Sequence, residues 1–222
     1  MPTGSRPFTL DVPYEVVTPP TYEEGKRYPL IVALHGMGQD PGFLQRDLAP
    51  LLAKPYVWLF PRGPYPLEVR GRQMRIGYAW YMYDGDQGRL RASMELTSSH
   101  LLGLMDTVWN AYCLDLSRAA VLGFSQGVAT ACRWLGLGHA RAQQLVLWGG
   151  NLPPDLPAGA WTARLGATRT LLVHGERDPI VPGSVLAANE VVLRGAGVPH
   201  ESLRHDGGHE LDTLLLRRLL TR

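Results

Sequence analysis

The run Val121-Leu122-Gly123-Phe124-Ser125-Gln126-Gly127-Val128 constrains this chain more than any other stretch. An apolar segment from Ala119 to Leu122 enters Gly-x-Ser-x-Gly, and residues able to continue as a helix follow through Ala129, Cys132 and Leu135. That is the pattern of a strand, a sharp turn and a helix. At such a turn the serine is held in a strained backbone conformation at the end of a sheet strand, and the glycines on either side let neighbouring backbone pass. The hydroxyl then stands clear of the chain as a nucleophile. Gly-x-Ser-x-Gly is short enough to arise by accident, so the rest of the chain must supply a base, an acid and oxyanion donors.

Strand and helix signals alternate around this turn. Residues 8–12 and 14–17 hold β-prone side chains around Pro13 and predict one or two edge strands. Residues 29–34 form a continuous apolar run bounded by Pro29 and by His35-Gly36, the mark of a strand covered on both faces. Phe43, Leu44, Leu48, Leu51 and Leu52 predict a helix over 42–53, and residues 56–60 a second buried strand stopped at Pro61. From Pro61 to about Leu90 no period is sustained, and glycine, proline, aromatic and arginine residues are concentrated. A long irregular loop, serving as a lid or substrate-binding loop, is expected there. Leu101, Met105, Val108 and Tyr112 share one face of a helix over 91–112.

Beyond the serine turn, residues 144–148 are a further apolar strand, followed by an irregular proline-rich stretch to Ala167. A strand over 170–173, a helix over 182–194, a short strand over 201–204 and a terminal amphipathic helix carrying Leu211, Leu214, Leu215 and Leu219 complete the order. The expected class is α/β: a mostly parallel central sheet with helices on both faces, its ligand beyond the carboxyl ends of the strands.

With 222 residues the chain suits one domain. Its formal charge of +2 is small and its basic residues are scattered, which argues against nucleic acid or an anionic membrane surface as partner. Neither a secretion signal nor an apolar run long enough for stable membrane insertion is present, so a cytoplasmic setting is expected. Cys113 and Cys132 lie among apolar residues in segments read as helical, without Cys-x-x-Cys spacing, and are read as buried free thiols rather than metal ligands.

Four groups of residues fall at carboxyl ends of predicted strands: His35-Gly36-Met37-Gly38, Ser125, Glu176-Arg177-Asp178 and Gly207-Gly208-His209. A serine hydroxyl is a poor nucleophile near neutral pH, so it needs a base in hydrogen-bond reach, and the base needs a third group to fix its tautomer. The order nucleophile, acid, histidine belongs to this type of turn, and Ser125, Asp178 and His209 satisfy it. Glu176 is the rival acid; Asp178 is preferred because Pro179 holds its turn extended. His205 is the rival base; His209 is preferred because Gly207-Gly208 frees its backbone. His100, His139 and His200 read as surface residues, and His35 and His174, each before a glycine, as partners of backbone groups. Two amides must meet the oxyanion: that of Gln126, which follows the nucleophile, and that of Met37 in the first loop.

Taken together, Leu34-His35-Gly36-Met37-Gly38, Gly77-Tyr78-Ala79-Trp80, Gly123-Phe124-Ser125-Gln126-Gly127, Gly149-Gly150-Asn151-Leu152-Pro153, His174-Gly175-Glu176-Arg177-Asp178-Pro179 and Gly208-His209-Glu210 resemble the phospholipase/carboxylesterase family, which includes the acyl-protein thioesterases. The resemblance implies an α/β-hydrolase fold, a Ser125, Asp178 and His209 triad, and Met37 and Gln126 as oxyanion donors. After Trp80 the chain reads Tyr81-Met82-Tyr83-Asp84, where the family usually has a Phe-Asp pair. From the residues themselves, Tyr65, Tyr78, Trp80, Tyr81 and Tyr83 are candidates to wall a substrate pocket, and Arg70, Arg72 and Arg75 to meet an anionic group.

The expected activity is hydrolysis of a small-molecule carboxylic ester through an acyl-enzyme, with no metal or organic cofactor. A thioesterase is the alternative of the same kind. A catalytically silent binding module is the alternative of another kind, disfavoured because every required group is present.

Overall fold

The computed structural model describes residues 10–71, 74–138 and 140–220. Nine strands and six helices occur among them. The strands are β1 (Tyr14–Val17), β2 (Tyr28–Leu34), β3 (Val57–Pro61), β4 (Tyr65–Val69), β5 (Arg75–Ala79), β6 (Leu114–Phe124), β7 (Gln144–Trp148), β8 (Arg169–Gly175) and β9 (His200–His205). The helices are α1 (Pro41–Leu52), α2 (Gln87–Ala111), α3 (Gln126–Gly136), α4 (Ala158–Leu165), α5 (Gly183–Gly195) and α6 (Thr213–Leu220). Seven strands form one sheet in the order β1-β3-β2-β6-β7-β8-β9, parallel except for β1, which pairs antiparallel with β3 at the edge. A short edge strand holding only one neighbour suits the proline-flanked residues 14–17.

Both faces of the sheet are covered, and alternate residues of the strands face opposite layers. Leu30, Val32 and Leu34 of β2 pack with α2, α3, α4 and α5 residues such as Leu104, Cys132, Trp161 and Leu193. Ile31 and Ala33, one position out of step, pack with Leu44 and Leu48 of α1 and Leu216 and Leu219 of α6. Every residue of β2, β3 and β7 is buried, which is why these strands read as unbroken apolar runs.

Several expectations are corrected. Residues 10–12 are not a strand; residues 8 and 9 of that expected element, like Arg72 and His139, lie outside the described residues. Residues 61–90 are not an irregular loop: β4 and β5 pair antiparallel as a separate hairpin, from Tyr65 opposite Ala79 to Val69 opposite Arg75. Pro66 and Gly77 disguise these strands, yet both have a use. Pro66 sits in a strand with one neighbour only, and a Cβ at Gly77 would run into the backbone of Gly38. Helix α4 lies in the stretch read as irregular, its short length hiding the period. Cys132 is buried in α3, whereas Cys113 is exposed and falls between α2 and β6. His100 is half-buried rather than exposed.

His35, the residue after β2, is fully buried against the Trp80 ring at 4.7 Å. Burial, opposed by the Gly36 carbonyl contact, pushes its pKa down from 6.5 to about 4. In the unfolded chain the same imidazole takes a proton near 6.5. Unfolding therefore binds a proton between those two values, so the neutral imidazole's contribution is complete above about pH 6.5 and is lost as pH falls toward 4.

Two stability measurements follow from this core. Leu216 is 0% exposed and Leu214 68% exposed on the same helix α6. Urea denaturation of Leu216→Ala is expected to show a loss of about 2–5 kcal/mol, while Leu214→Ala stays within about 0.5 kcal/mol of wild type. Lowering the pH from 6.5 to 4 is expected to cost the wild type about 3 kcal/mol more than a His35→Asn variant; parallel pH profiles for the two would contradict this.

Candidate active site

Strand β6 ends at Phe124 and α3 begins at Gln126, so Ser125 alone makes the turn. It has φ 55° and ψ −116°, and it is the single non-glycine residue with positive φ among the described residues. Such a conformation costs about 1–3 kcal/mol and persists only where the surroundings over-determine it. They do so here through two glycines. A Cβ at Gly123 would meet the Gly127 carbonyl oxygen at 2.5 Å, and one at Gly127 would run into the Leu34 carbonyl of β2. The Ser125 amide is tied by donating to the Trp148 carbonyl at 2.9 Å.

Across the rim, Nδ1 of His209 lies 2.7 Å from Oδ2 of Asp178. The Asp178 side chain is 1% exposed and that of His209 12%. The other oxygen of Asp178 accepts from the Ile180 and Val181 amides, each at 2.8 Å. Burial alone would raise this carboxyl, but the Val181 and Ile180 amides and the His209 contact outweigh it and hold its pKa below the usual carboxylate range. Asp178 is thus an oriented anion. With Nδ1 directed at it, Nε2 of His209 is left for another partner. The His209 ring packs on Phe124, next to Ser125, at 4.9 Å between centroids. No hydrogen bond links His209 to Ser125 Oγ among the described residues.

The rivals are placed elsewhere. Glu176 is exposed. His205 ends β9 inside the protein, its ring 5.1 Å from that of Trp148 and its Nδ1 accepting from the Gly207 amide at 3.1 Å. That contact ties the His205 ring to the Gly207-Gly208 turn that carries His209.

Met37, Tyr81, Ser125 and Gln126 line one open cleft of about 310 Å³, together with Ala129, Gly150, Asn151, Ile180 and Val181. In the turn after β2, the Gly38 amide donates to Tyr78 O at 2.8 Å and the Gln39 amide to Gly36 O at 3.1 Å, while the Met37 amide has no acceptor among the described residues. Gln126, first in α3, likewise has no carbonyl a turn behind it for its N–H. Both amides therefore border the cleft unspent.

Of the aromatic candidates, only Tyr81 lines this cleft. Trp80 is corrected to a structural role: it is 0% exposed, its Nε1 donates to His35 O at 2.7 Å, its amide donates to Gln126 Oε1 at 2.9 Å, and Thr97 Oγ1 donates to its carbonyl. Tyr78 faces away, its hydroxyl accepting from Arg62 at 3.2 Å and its ring under that guanidinium. Tyr65 donates to Ser93 O, and Tyr83 is exposed. Arg70 is exposed, and Arg75 is engaged, donating to Gly38 O at 2.6 Å and lying over the Phe43 ring. Sequence reasoning missed Ile180 and Val181 as lining residues; their place just after Asp178-Pro179 was the available signal. It also missed the Gln126 side chain, which ties the Trp80-Tyr81 segment to the serine turn. Among the described residues, no three or more His, Cys, Asp or Glu side chains are grouped to hold a metal ion.

Comparison with known proteins agrees with this architecture. A carboxylesterase from Mesorhizobium loti superposes with a TM-score of 0.73 over 95% of this chain and 94% of its own, at 21% identity. A Bacillus cereus carboxylesterase gives 0.67 over 95% and 92%, at 17% identity. Acyl-protein thioesterase 2 of Zea mays gives 0.68 over 94% and 96%, at 19% identity. At such identities these structures speak for the shared fold. No curated protein sequence matches. The family model described as phospholipase/carboxylesterase matches residues 15–219, nearly the whole chain. With its parallel sheet, its helices on both faces and its serine turn, the chain is an α/β hydrolase and belongs to the phospholipase/carboxylesterase family.

Proposed function

We propose that the protein is a serine hydrolase that cleaves carboxylic esters through an acyl-enzyme, with Ser125 as nucleophile, His209 as base and Asp178 as the orienting acid. The observation that carries this reading is the 2.7 Å contact between His209 and a buried, ionised Asp178 beside the strained Ser125 turn. A carboxylate so placed fixes the histidine with its Nδ1 protonated and stabilises the imidazolium formed when Nε2 takes the serine proton. Ser125 Oγ then bonds to the ester carbonyl carbon. The negative charge moves to the carbonyl oxygen, where the Met37 and Gln126 amides receive it. Each such donor is worth about 3 kcal/mol in the transition state. The imidazolium returns its proton to the departing alkoxide as the carbon–oxygen bond breaks. Water, deprotonated by the same histidine, repeats the sequence on the acyl-enzyme and frees the acid.

The substrate proposed is a small-molecule ester whose acyl part rests against Tyr81, Ala129, Ile180 and Val181. Free Cys113 and Cys132 fit a reducing, cytoplasmic setting, and no helix among the described residues is long and apolar enough to cross a membrane. One observation favours a thioesterase as second reading: Met37 and Ile180 at the cleft mouth are 64% and 66% exposed, open enough for an acyl group carried on a larger body.

Hydrolysis of p-nitrophenyl esters of graded acyl length, beside the matching thioesters, is the test. Ser125→Ala is expected to lose at least about a thousandfold in kcat; retention of most activity would sink the nucleophile assignment. His209→Ala is expected to fall about as far, with His205→Ala losing stability rather than turnover. Equal, mild losses in those two variants would refute the choice of base.

A further inference from the structure

The buried His35 lies outside the proposed proton path, yet its two ring nitrogens have defined and opposite duties. Nδ1 is 2.8 Å from the Gly36 carbonyl oxygen, which can only accept, so Nδ1 carries the proton. Nε2 receives the Gly63 amide at 2.9 Å, which can only donate, so Nε2 is bare. The two contacts together fix one neutral tautomer. The low pKa of this imidazole keeps that tautomer uncharged at neutral pH.

The carbonyl that Nδ1 holds belongs to the same peptide unit as the Met37 N–H. The 36–37 peptide, like every other among the described residues, is trans, so in this planar unit the C=O and N–H point in opposite directions. The Gly36 oxygen also accepts from the Gln39 amide at 3.1 Å. Two donors anchor one end of the unit, and the other end is the Met37 amide left without an acceptor at the cleft. Trp80 Nε1 pins the preceding His35 carbonyl at 2.7 Å, so the unit cannot turn by swinging at its upstream end.

We infer that His35 is a positioning residue for the oxyanion site: by holding the Gly36 carbonyl from within the core through Nδ1–H, it sets the orientation of the Met37 N–H toward the cleft that Met37 shares with Ser125. The inference rests on the ester-hydrolysis reading given above. It explains why a histidine, rather than an apolar residue, occupies a fully buried position at the end of β2. An aliphatic side chain would fill the space but leave the Gly63 amide unpaired and the Gly36 carbonyl held by the Gln39 amide alone, and a 36–37 unit that flipped would present a carbonyl oxygen to the developing oxyanion.

The test uses two substitutions that each remove one of the two contacts. His35→Asn keeps a donor at the Nδ1 position and loses the acceptor for Gly63. His35→Gln carries its amide further out, keeping an acceptor for Gly63 and losing the donor to Gly36. Both are expected to lower the melting temperature. With p-nitrophenyl esters, His35→Gln is expected to lose about 10- to 100-fold in kcat with KM within about twofold of wild type, and His35→Asn to keep kcat within about threefold. A purely structural role predicts equal kcat losses in the two folded variants, and that result, or a greater loss in His35→Asn, would overturn the inference. Should either variant not fold, ¹⁵N NMR of the histidine-labelled wild type at neutral pH decides: His35 is expected as the neutral Nδ1–H form, and an Nε2–H or protonated ring would overturn it. Wild type no more active than Ser125→Ala would instead refute the ester-hydrolysis reading and leave the tautomer measurement standing on its own.

Discussion

The rim chemistry depends on one close backbone approach, that of the start of α3 to the end of β2. Gly127 lies so near the Leu34 carbonyl that no side chain fits between them, and Gly123 makes room for Gly127 in turn. This contact compresses the β6–α3 connection into a single residue and drives Ser125 into positive φ. It also sets the amide after the serine and the turn after β2 side by side, because the helix carrying Gln126 rests on the strand that ends at Leu34. Two unspent N–H groups from distant parts of the chain can border one cleft only if the chains bearing them touch behind it.

The Asp178 and His209 side is built differently. Asp178 and His209 come from the loops after β8 and β9, adjacent parallel strands, so their turns leave the sheet side by side. The turns are further joined by amides of Glu176 and Arg177 donating to His205 O and Gly207 O. Backbone amides at Ile180 and Val181 keep Asp178 charged despite its burial, so the loop acts as a fixed dipole set around one anion. Ser125, by contrast, is placed by sterics. One rim thus holds a strained serine on the β6 side and an electrostatically satisfied pair on the β8 and β9 side.

Most of the frame was legible in the sequence because β2, β3, β7 and β8 are buried on both faces, and continuous apolar runs between glycine and proline have few other readings. The Ser125 turn and the pairing of Asp178 with His209 were legible because the order of these residues along the chain and their places at strand ends were both visible. The residues around the cleft were not. Trp80 looked like a pocket wall, since an aromatic residue among glycines reads alike whether it faces substrate or core; its burial follows from a hydrogen bond to His35 O that no local pattern announces. The β4–β5 hairpin was hidden because Gly77 reads as a strand breaker, whereas it is glycine there to let the hairpin lie on the backbone of Gly38. In each case the deciding contact joins residues more than 35 positions apart.

The hairpin bears on how this enzyme class can be reshaped. Arg75 and Tyr78 grip Gly38, the Trp80-Tyr81 segment beyond is pinned to His35 and Gln126, and the cleft wall at Tyr81 hangs from that same ribbon. Under the proposed ester hydrolysis, selectivity and turnover are mechanically linked on this side: altering the ribbon to admit a different acyl group also moves the backbone that carries the two unspent amides. The opposite wall, at Ile180 and Val181, is anchored through amides rather than side chains, so its side chains can be exchanged while the scaffold beneath them stays in place. For the proposed ester hydrolysis, a library aimed at other acyl groups belongs on that wall.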